Sequence, residues 1–360
     1  MKKAQMSMPF HWIYVMLAGG VILFFFIGIA SRQKTASEEQ LSVTLAQKLD
    51  SIFTGAAQTK QTFEAIELPS LDLYFFCDKD DASSYSVGNE GSLRPSPVQP
   101  LFAAQRIRVD PRLNVWSTSF RMPFQIINLL MLDAPTATTF LIYDVNDAQS
   151  GFLLDKIKSE LPPQFNFVPI TKEDFYTTEL SKVSTPEVRL VFLTPIGLNG
   201  RDVPAAIESM VPANVHIVHV ESERSVAYYN LEEGAAITNP LFDSVSIMPT
   251  LDDRNPALYA ALFSGDAESY RCNMRKVFDR FILLAEMYHQ RAVELKARYA
   301  DAGTTLCAFQ INPDKFVQLK DAAVLCRTEQ SAACLSRTFT IAQDIQRHND
   351  VVQQQCAVLY

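Results

Sequence analysis

The chain has 360 residues, of which 48% are hydrophobic and 20% are charged, with only 12 glycines. This composition excludes a globally disordered chain and a collagen-like or glycine-rich repeat protein. The 32 Lys and Arg residues are outnumbered by 40 Asp and Glu residues, which gives a formal net charge of −8. A nucleic-acid partner is not expected, because the chain lacks the basic footprint that neutralises phosphate.

The N-terminal region carries the strongest signal. No Asp, Glu, Lys or Arg occurs from Ala4 to Ser31, and the stretch from Trp12 to Ala30 is almost wholly apolar. About 20 apolar residues in a helix span the ~30 Å hydrocarbon core of a bilayer. We therefore predict a stub at 1–10 and a transmembrane helix at 11–31, with the lipid bilayer as its partner. A cleaved secretory signal is the alternative, although Ser31-Arg32 does not fit a small-residue cleavage site.

The orientation of this helix depends on few charges. Lys2 and Lys3 precede the span, and Arg32 and Lys34 follow it, so the positive-inside count is a tie. The free α-amino group favours a cytoplasmic stub. We accordingly expect a single-pass protein of the cell membrane with its C-terminal bulk outside the cytoplasm.

A short motif precedes the apolar stretch. It reads Lys2-Lys3-Ala4-Gln5-Met6-Ser7-Met8-Pro9-Phe10, and it resembles the class III signal of archaeal type IV pilin-like proteins. In that family a basic stub precedes Gln-x-Ser-x-Glu-Phe, and a dedicated peptidase cleaves before the Gln. The resemblance implies processing between Ala4 and Gln5. Pro9 replaces the Glu that helps pilin subunits dock, which favours an exported anchor over a filament subunit.

The next segments are predicted from periodicity. A capping box at Ser37 and leucines at helical spacing predict an amphipathic stalk helix in the segment 32–57. The helix covers about 37–54, and its continuity with the membrane helix is left open. We expect a β-rich segment at 58–135, with a strand at 71–77 and a long loop at 78–100.

Two strand-like runs follow in the same segment. They cover 101–109 and 113–120, and Asp110-Pro111 between them predicts a hairpin. The apolar run at 122–132 fits either a strand or a helix, because periodicity alone does not separate the two.

Alternating elements begin near residue 136. Buried-strand patterns at 139–144, 165–170, 189–194 and 215–220 alternate with helix patterns at 147–161 and 203–210. Such alternation is typical of a parallel sheet covered by helices on both faces. The predicted fold class is therefore α/β: an N-terminal transmembrane helix, the β-rich segment, a three-layer α/β domain at 136–250 with a mostly parallel sheet, and a C-terminal helical region at 251–360.

The C-terminal region contains most of the cysteines. Apolar stripes predict helices at 267–300, 313–325 and 336–355, and 306–311 is interpreted as a short strand. An even number of cysteines beside an export anchor predicts disulfide bonds. Cys326 and Cys334 bracket a short polar loop that a disulfide would close, while the other pairings and the alternative of buried free thiols stay open. The disulfide candidates are Cys77, Cys272, Cys307, Cys326, Cys334 and Cys356.

The candidate ligand-binding residues lie after the α/β strands. Asp144 and Asp147 follow the first strand, and Arg201 lies in a glycine-containing loop after the second. Ligands of such folds bind at the carboxyl ends of strands, where these residues would meet a cation or an anion. The structural alternative is favoured: Asp147 caps the next helix and Asp144 shapes the loop.

Metal, cofactor and catalytic signals are weak. His216 and His219 are three positions apart on a predicted strand and therefore face opposite sides, so we expect no metal site. No Gly-x-Ser-x-Gly or His-Glu-x-x-His motif occurs, and we expect no cofactor and no catalytic residues.

These patterns favour a non-enzymatic binding or assembly component of the cell surface, with a protein partner. One alternative is an anchored enzyme or ligand-binding receptor that uses the strand ends of the α/β domain. Another is a pilin-like filament subunit.

Overall fold

The computed structural model of this chain is a mixed α/β fold with several sheets. The described residues are 8–59, 62–77, 83–88, 97–177, 185–196, 204, 207, 210–231, 237–238, 243–251, 254–354 and 356. Within these ranges, the side chains of 8–13, 30–31, 34–39 and 237–238 are not described. The predicted processing site at Ala4 and Gln5, and Arg201, lie outside the described residues.

Helices occur at the N-terminus, beside the largest sheet and throughout the last third of the chain. They are α1 (Met8–Gln58), α2 (Ala148–Glu160), α3 (Lys172–Thr177), α4 (Pro256–Phe263), α5 (Ala267–Asp301), α6 (Thr305–Gln310), α7 (Asp314–Glu329) and α8 (Ala332–Gln353). The strands lie between α1 and α4. They are β1 (Phe63–Glu67), β2 (Leu71–Cys77), β3 (Ser83–Val87), β4 (Leu101–Phe102), β5 (Arg106–Val109), β6 (Arg112–Arg121), β7 (Gln125–Asp133), β8 (Thr138–Tyr143), β9 (Phe167–Thr171), β10 (Val188–Phe192), β11 (Val215–Ser222), β12 (Ser225–Leu231), β13 (Ile237–Thr238) and β14 (Ser244–Ser246).

Helix α1 combines the predicted membrane helix and the predicted stalk in one continuous helix. Its C-terminal part packs on the folded body through side chains at three- and four-residue spacing, of which Leu49 and Phe53 are fully buried. The Phe53 ring meets the Tyr85 ring edge-on at 5.8 Å, and the Tyr85 hydroxyl donates to the carbonyl of Ala46. Among the described residues, no helix is both long and apolar enough to cross a membrane, so the transmembrane helix expected at 11–31 is not found there.

A four-stranded sheet in the order β1-β6-β7-β4 lies against the stalk end of α1. Alternate side chains of β7 enter different cores: Leu130 and Leu132 face α1, whereas Leu129 and Met131 face the opposite side. Burial on both faces explains the apolar run at 122–132, most of which forms the strand β7 from Gln125 onwards.

The largest sheet is mostly parallel. Strands β9, β8, β10 and β11 are parallel neighbours, and β12 joins β11 antiparallel and carries β13 and β14. Helix α2 packs on one face, where Ile157 shares a core with Val191 and Val218. Helix α3 packs on the other face, where Phe175 shares a core with Leu190. The predicted helix at 203–210 lies largely outside the described residues, of which Ile207 is buried in this second core.

The predicted hairpin of 101–109 and 113–120 is wrong. Strand β5 pairs with β2, in a small sheet of order β3-β2-β5, whereas β6 pairs with β1 and β7. The adjacent strands therefore belong to different sheets. A turn signal such as Asp110-Pro111 marks a change of direction, but it does not determine which distant strand completes the pairing.

Two further predictions are corrected. The predicted loop at 78–100 contains β3, a serine-rich strand whose Tyr85 and Val87 enter the core at a period of two. The predicted strand at 306–311 is the helix α6 followed by Ile311, because the buried residues Cys307 and Ile311 are four apart. The short apolar run alone is ambiguous between these two structures.

All six cysteines form disulfides: Cys77–Cys272, Cys307–Cys356 and Cys326–Cys334. Their Cα atoms are 6.1, 5.8 and 5.4 Å apart, within the usual range for a disulfide. The last bond confirms the predicted closure of the polar loop, and the pairing excludes the free-thiol alternative.

The disulfides close loops of very different length, spanning 195 residues for Cys77–Cys272 and 8 for Cys326–Cys334. Loop-closure entropy of the unfolded chain then makes the long bond more stabilising by about 3 kcal/mol. We expect Cys77→Ala/Cys272→Ala to lower the free energy of unfolding more than Cys326→Ala/Cys334→Ala, measured by urea denaturation. Each double variant removes the same two sulfur atoms and so controls for the other. An equal or reversed order would contradict the prediction.

Candidate functional site

Asp144 and Asp147, the two strand-end candidates that the structure describes, both accept hydrogen bonds from backbone amides. The Asp147 carboxylate accepts from the amide N–H of Gln149 at 3.0 Å and caps α2. The Asp144 carboxylate accepts from the amide N–H of Asn146 at 2.8 Å, and the Asp144 N–H donates to Ser150. A cap of this kind stabilises a helix by about 1 kcal/mol. These contacts agree with the structural alternative, in which Asp147 caps the helix and Asp144 shapes the loop. Neither residue lines the cavities described below.

A buried ion pair lies at the other end of the parallel strands. Arg189, at the second position of β10, points its guanidinium towards Asp133, the last residue of β7, with 3.3 Å between Nη1 and Oδ1. Both side chains are less than one-twentieth exposed. The guanidinium also lies 5.0 Å from the ring centre of Phe263 in α4, a cation–π contact. This pair joins the α1-facing sheet, the parallel sheet and α4.

A second polar pair adjoins the first. His216 is the register partner of Arg189 on β11, and its Nε2 lies 3.5 Å from Oε1 of Glu187. The side chains of His216 and Glu187 are 10% and 7% exposed. The two atoms lie outside hydrogen-bond geometry, and neither Nε2 nor Oε1 has a hydrogen-bond partner in the described part of the chain. Nε of Arg189 is also buried without one.

Unsatisfied buried polar atoms are costly, by roughly 1–3 kcal/mol each. Most buried polar groups in folded proteins have a hydrogen-bond partner, which is a side chain, the backbone or an ordered water. His219 lies on the opposite strand face, as the strand period predicts, beside Val215 and Ile217 rather than Val218. Burial lowers the pKa of His219.

Two adjoining cavities, one of them lined by His216, are here called the acidic groove. Their volumes are about 370 and 460 Å³, within the range of ligand pockets. Both are lined by the same four residues: Gln105, Ala213, Asp266 and Glu268. Tyr228 and Tyr229 line the end next to His216, and the β2 residues Tyr74 to Cys77 line the other end.

The middle of the acidic groove is formed by a close crossing of two chain segments. A Cβ at Gly265 would lie 2.7 Å from the amide nitrogen of Gln105, so only glycine fits there. The Gly265 N–H donates to the carbonyl of Ala103, and the Gln105 side chain donates to the carboxylate of Asp266. Asp266 also caps α5 through the amide N–H of Ser269. The groove therefore begins where α5 begins.

The groove is lined by three carboxylates, Asp243, Asp266 and Glu268, and by one guanidinium, that of Arg106, which pairs with Asp72. Asp243 lies 3.3 Å from Arg271, but Asp266 and Glu268 have no cationic partner within the residues that the structure describes. The aromatic and acidic lining favours a ligand that carries a positive charge. In the described part of the chain, no three His, Cys, Asp or Glu side chains are grouped so as to hold a metal ion.

A second exposed feature is the N-terminal part of α1. Phe24, Phe25, Phe26 and Ile27 are 80%, 66%, 65% and 57% exposed. Successive helical residues are turned by about 100°, so these four side chains point around the full circumference of the helix. Large apolar side chains at 14–29 show the same exposure.

Sequence reasoning missed the acidic groove and the pairs below it. One local signal was present, because Arg189 and Glu187 flank the start of an otherwise apolar strand. A charged residue in a buried strand needs a buried partner. The partner Asp133 is 56 residues away, and no local pattern identifies it.

Comparisons of the chain with protein-family models, with curated proteins and with solved structures found no match.

The buried Asp133 makes stability depend on pH. Burial raises the pKa of Asp133 to about 6 from 3.8, against the opposing attraction of Arg189. The folded chain therefore binds a proton at a higher pH than the unfolded chain, and the stability contributed by this carboxyl is lost as pH rises from about 4 to about 6. The shift corresponds to a fall on the order of 3 kcal/mol.

We expect Asp133→Asn to remove this part of the pH dependence, as measured by urea denaturation at several pH values. Asp155→Asn, at an exposed position of α2, is the matched control and should leave the profile unchanged. Parallel profiles for the native chain and Asp133→Asn would contradict the prediction.

Proposed function

We propose that the chain is a single-pass membrane protein whose folded body lies outside the cytoplasm and acts as a binding or assembly component of the cell surface. The observation that carries the proposal is the exposed apolar surface all around α1 at 14–29. A helix that is apolar on every side needs apolar surroundings on every side. A bilayer supplies them, whereas a single partner helix covers one stripe.

The contrast with α4 supports this interpretation. Helix α4 is also apolar throughout, and all eight of its residues, Pro256–Phe263, are buried in the protein core. Both helices need apolar surroundings on every side. The protein core supplies them for α4, and the surroundings of the protein must supply them for α1. Full burial of a large apolar side chain contributes about 1.5–3 kcal/mol. In sequence, the apolar stretch continues beyond 14–29 through Trp12, Ile13 and Ala30, towards the length that a span requires.

The disulfides support a location of the folded body outside the cytoplasm. Structural disulfides persist in oxidising surroundings outside the cytoplasm and are rare inside it. Three of them in one chain favour an exported body. The pilin-like motif at Ala4 and Gln5 belongs to the same proposal, as the point where the stub is removed.

A binding role is favoured over an enzymatic one because the acidic residues at the strand ends have structural roles. Asp144 and Asp147 accept hydrogen bonds from backbone amides, and these bonds explain both residues as parts of the loop and the helix cap. The acidic groove instead offers an open, charged surface of the kind that holds a partner.

Anchoring is tested by flotation of the full-length chain with vesicles of phosphatidylcholine and phosphatidylglycerol, after an alkaline wash. We expect the native chain to float with the vesicles, and Leu23→Lys/Phe26→Lys to lose this association. Each lysine at the centre of a membrane helix costs about 3 kcal/mol.

Leu283→Lys/Met287→Lys is the matched control, because it adds the same charges at exposed apolar positions of α5. It should float like the native chain. A native chain that does not float, or a Leu23→Lys/Phe26→Lys variant that still floats, would overturn the proposal.

A further inference from the structure

Glu187 and His216 face each other without forming a hydrogen bond. Oε1 of Glu187 and Nε2 of His216 are 3.5 Å apart, and both atoms are buried without a hydrogen-bond partner among the residues that the structure describes. A neutral imidazole carries its single proton on one of the two ring nitrogens. If the proton is on Nδ1, the lone pair of Nε2 faces the lone pairs of the carboxylate, and the contact is repulsive. If it is on Nε2, the N–H is still too far from the carboxylate for an ordinary hydrogen bond.

A second proton on the imidazole reverses this relation. An imidazolium has an N–H at both ring nitrogens, and it forms charge-assisted hydrogen bonds to carboxylates in which N and O are about 2.7–2.9 Å apart. Histidine ordinarily gains this proton between about pH 8 and about pH 5. The contact between Glu187 and His216 is therefore weak with the neutral ring and strong with the charged ring.

The charges of the adjoining buried pair also favour one added proton. Arg189 is the register partner of His216 and lies 3.3 Å from Asp133. When Asp133 and Glu187 are both ionised, Arg189 neutralises only one of them, and the four groups keep an excess of one negative charge while His216 is neutral. Burial raises the pKa of Asp133 to about 6, and the charge of Glu187 adds to this rise, which is consistent with the same excess.

Charged groups on the neighbouring elements leave this excess in place. Arg106 on β5 interacts with Glu187, but its guanidinium pairs with Asp72 on β2 at 2.8 Å, so these two charges cancel. On the open side, His216 lines the same cavity as two tyrosines and three carboxylates: Tyr228, Tyr229, Asp243, Asp266 and Glu268. Of these carboxylates, Asp243 pairs with Arg271. The groups named around His216 therefore include more carboxylates than guanidiniums.

The contact joins the starts of two neighbouring parallel strands. Glu187 immediately precedes β10, and His216 is the second residue of β11. A 3₁₀ turn at Pro212–Asn214 leads into β11, and both Pro212 and Ala213 line the same cavity as His216. Movement of His216 relative to Glu187 therefore reaches one wall of the acidic groove.

We propose that Glu187 and His216 form a pH-sensitive contact that controls the rigidity of this wall. His216 takes a proton from the solvent and closes on Glu187, which holds the turn at 212–214 in place, and release of the proton to the solvent loosens the turn. Because the closed form is the proton-bound form, the local stability falls as pH rises. The inference goes beyond the proposed function and depends on neither the membrane anchor nor a bound partner.

The test is amide hydrogen exchange of the full-length chain in detergent micelles, measured by mass spectrometry at about pH 5 and about pH 8, the limits of ordinary histidine titration. Rates are corrected for the chemical dependence of exchange on pH, so that the remaining protection reports local opening. We expect the segment 212–218 to be at least about tenfold better protected at the lower pH, because the charge-assisted hydrogen bond is lost at the higher pH. Equal protection at the two pH values would overturn the inference.

Variants assign the effect to His216. His216→Gln should lower the ratio of the two protections by at least about threefold, because a glutamine amide donates to Glu187 at either pH. His219→Gln is the matched control, since it makes the same change on the opposite face of the same strand and should keep the ratio of the native chain. The titration of Asp133 contributes equally in both variants, so their difference isolates His216.

An unchanged ratio in His216→Gln, or an equal fall in His219→Gln, would overturn the inference. If His216→Gln fails to fold, Glu187→Gln decides, because it removes the charge on the other side of the contact and should lower the ratio in the same way.

Discussion

The disulfide between Cys77 and Cys272 is the constraint on which the arrangement of the other elements depends, since it joins β2 to α5 across 195 residues. The next residue, Asn273, is buried and accepts hydrogen bonds from the Ser83 hydroxyl at 2.9 Å and the Leu101 N–H at 3.1 Å. One turn further along, Lys276 donates to two backbone carbonyls, and burial lowers its pKa to about 8. A covalent, a neutral and a charged link therefore hold one side of α5 to the small sheet of β2 and β3.

This attachment positions the acidic groove. Because the start of α5 is held against β2, its N-cap Asp266 lies beside Gln105, and the crossing at Gly265 forms the middle of the acidic groove. The far end of α5 packs against α7, which the Cys326–Cys334 disulfide joins to α8, and Cys307–Cys356 joins α6 to the segment that follows α8. Meanwhile the buried Asp133–Arg189 pair ties the parallel sheet to β7. Breaking such a pair by removing one partner is more costly than its net contribution suggests, because the other charge stays buried.

The sequence predicts elements well where the pattern is local. The strand at 71–77 and the stalk helix are confirmed, as are the parallel strands of the largest sheet. Pairing between distant segments was not predictable. The turn at Asp110-Pro111 indicated a hairpin, but β1 and β7 pair with β6 instead. The short run at 306–311 fitted either a strand or a helix. Its buried residues Cys307 and Ile311 are four positions apart, which fits a helix.

The candidate site shows the same limit. Asp147 was correctly placed as a helix cap, because a cap depends on neighbouring residues alone. The acidic groove combines Gln105, His216 and Glu268 from three distant parts of the chain, and a single sequence holds no signal that joins them. The groove lies where the start of α5 crosses the segment of Gln105, a contact between distant segments that no motif marks.

The most direct test of an exported, oxidised and anchored chain is its intact mass after extraction from the native membrane under non-reducing conditions with a thiol-blocking reagent. A mass that lacks Met1–Ala4 and carries no blocked thiol is the predicted result. A chain that retains Lys2 and Lys3 and carries six blocked thiols would contradict both the processing and the oxidising location.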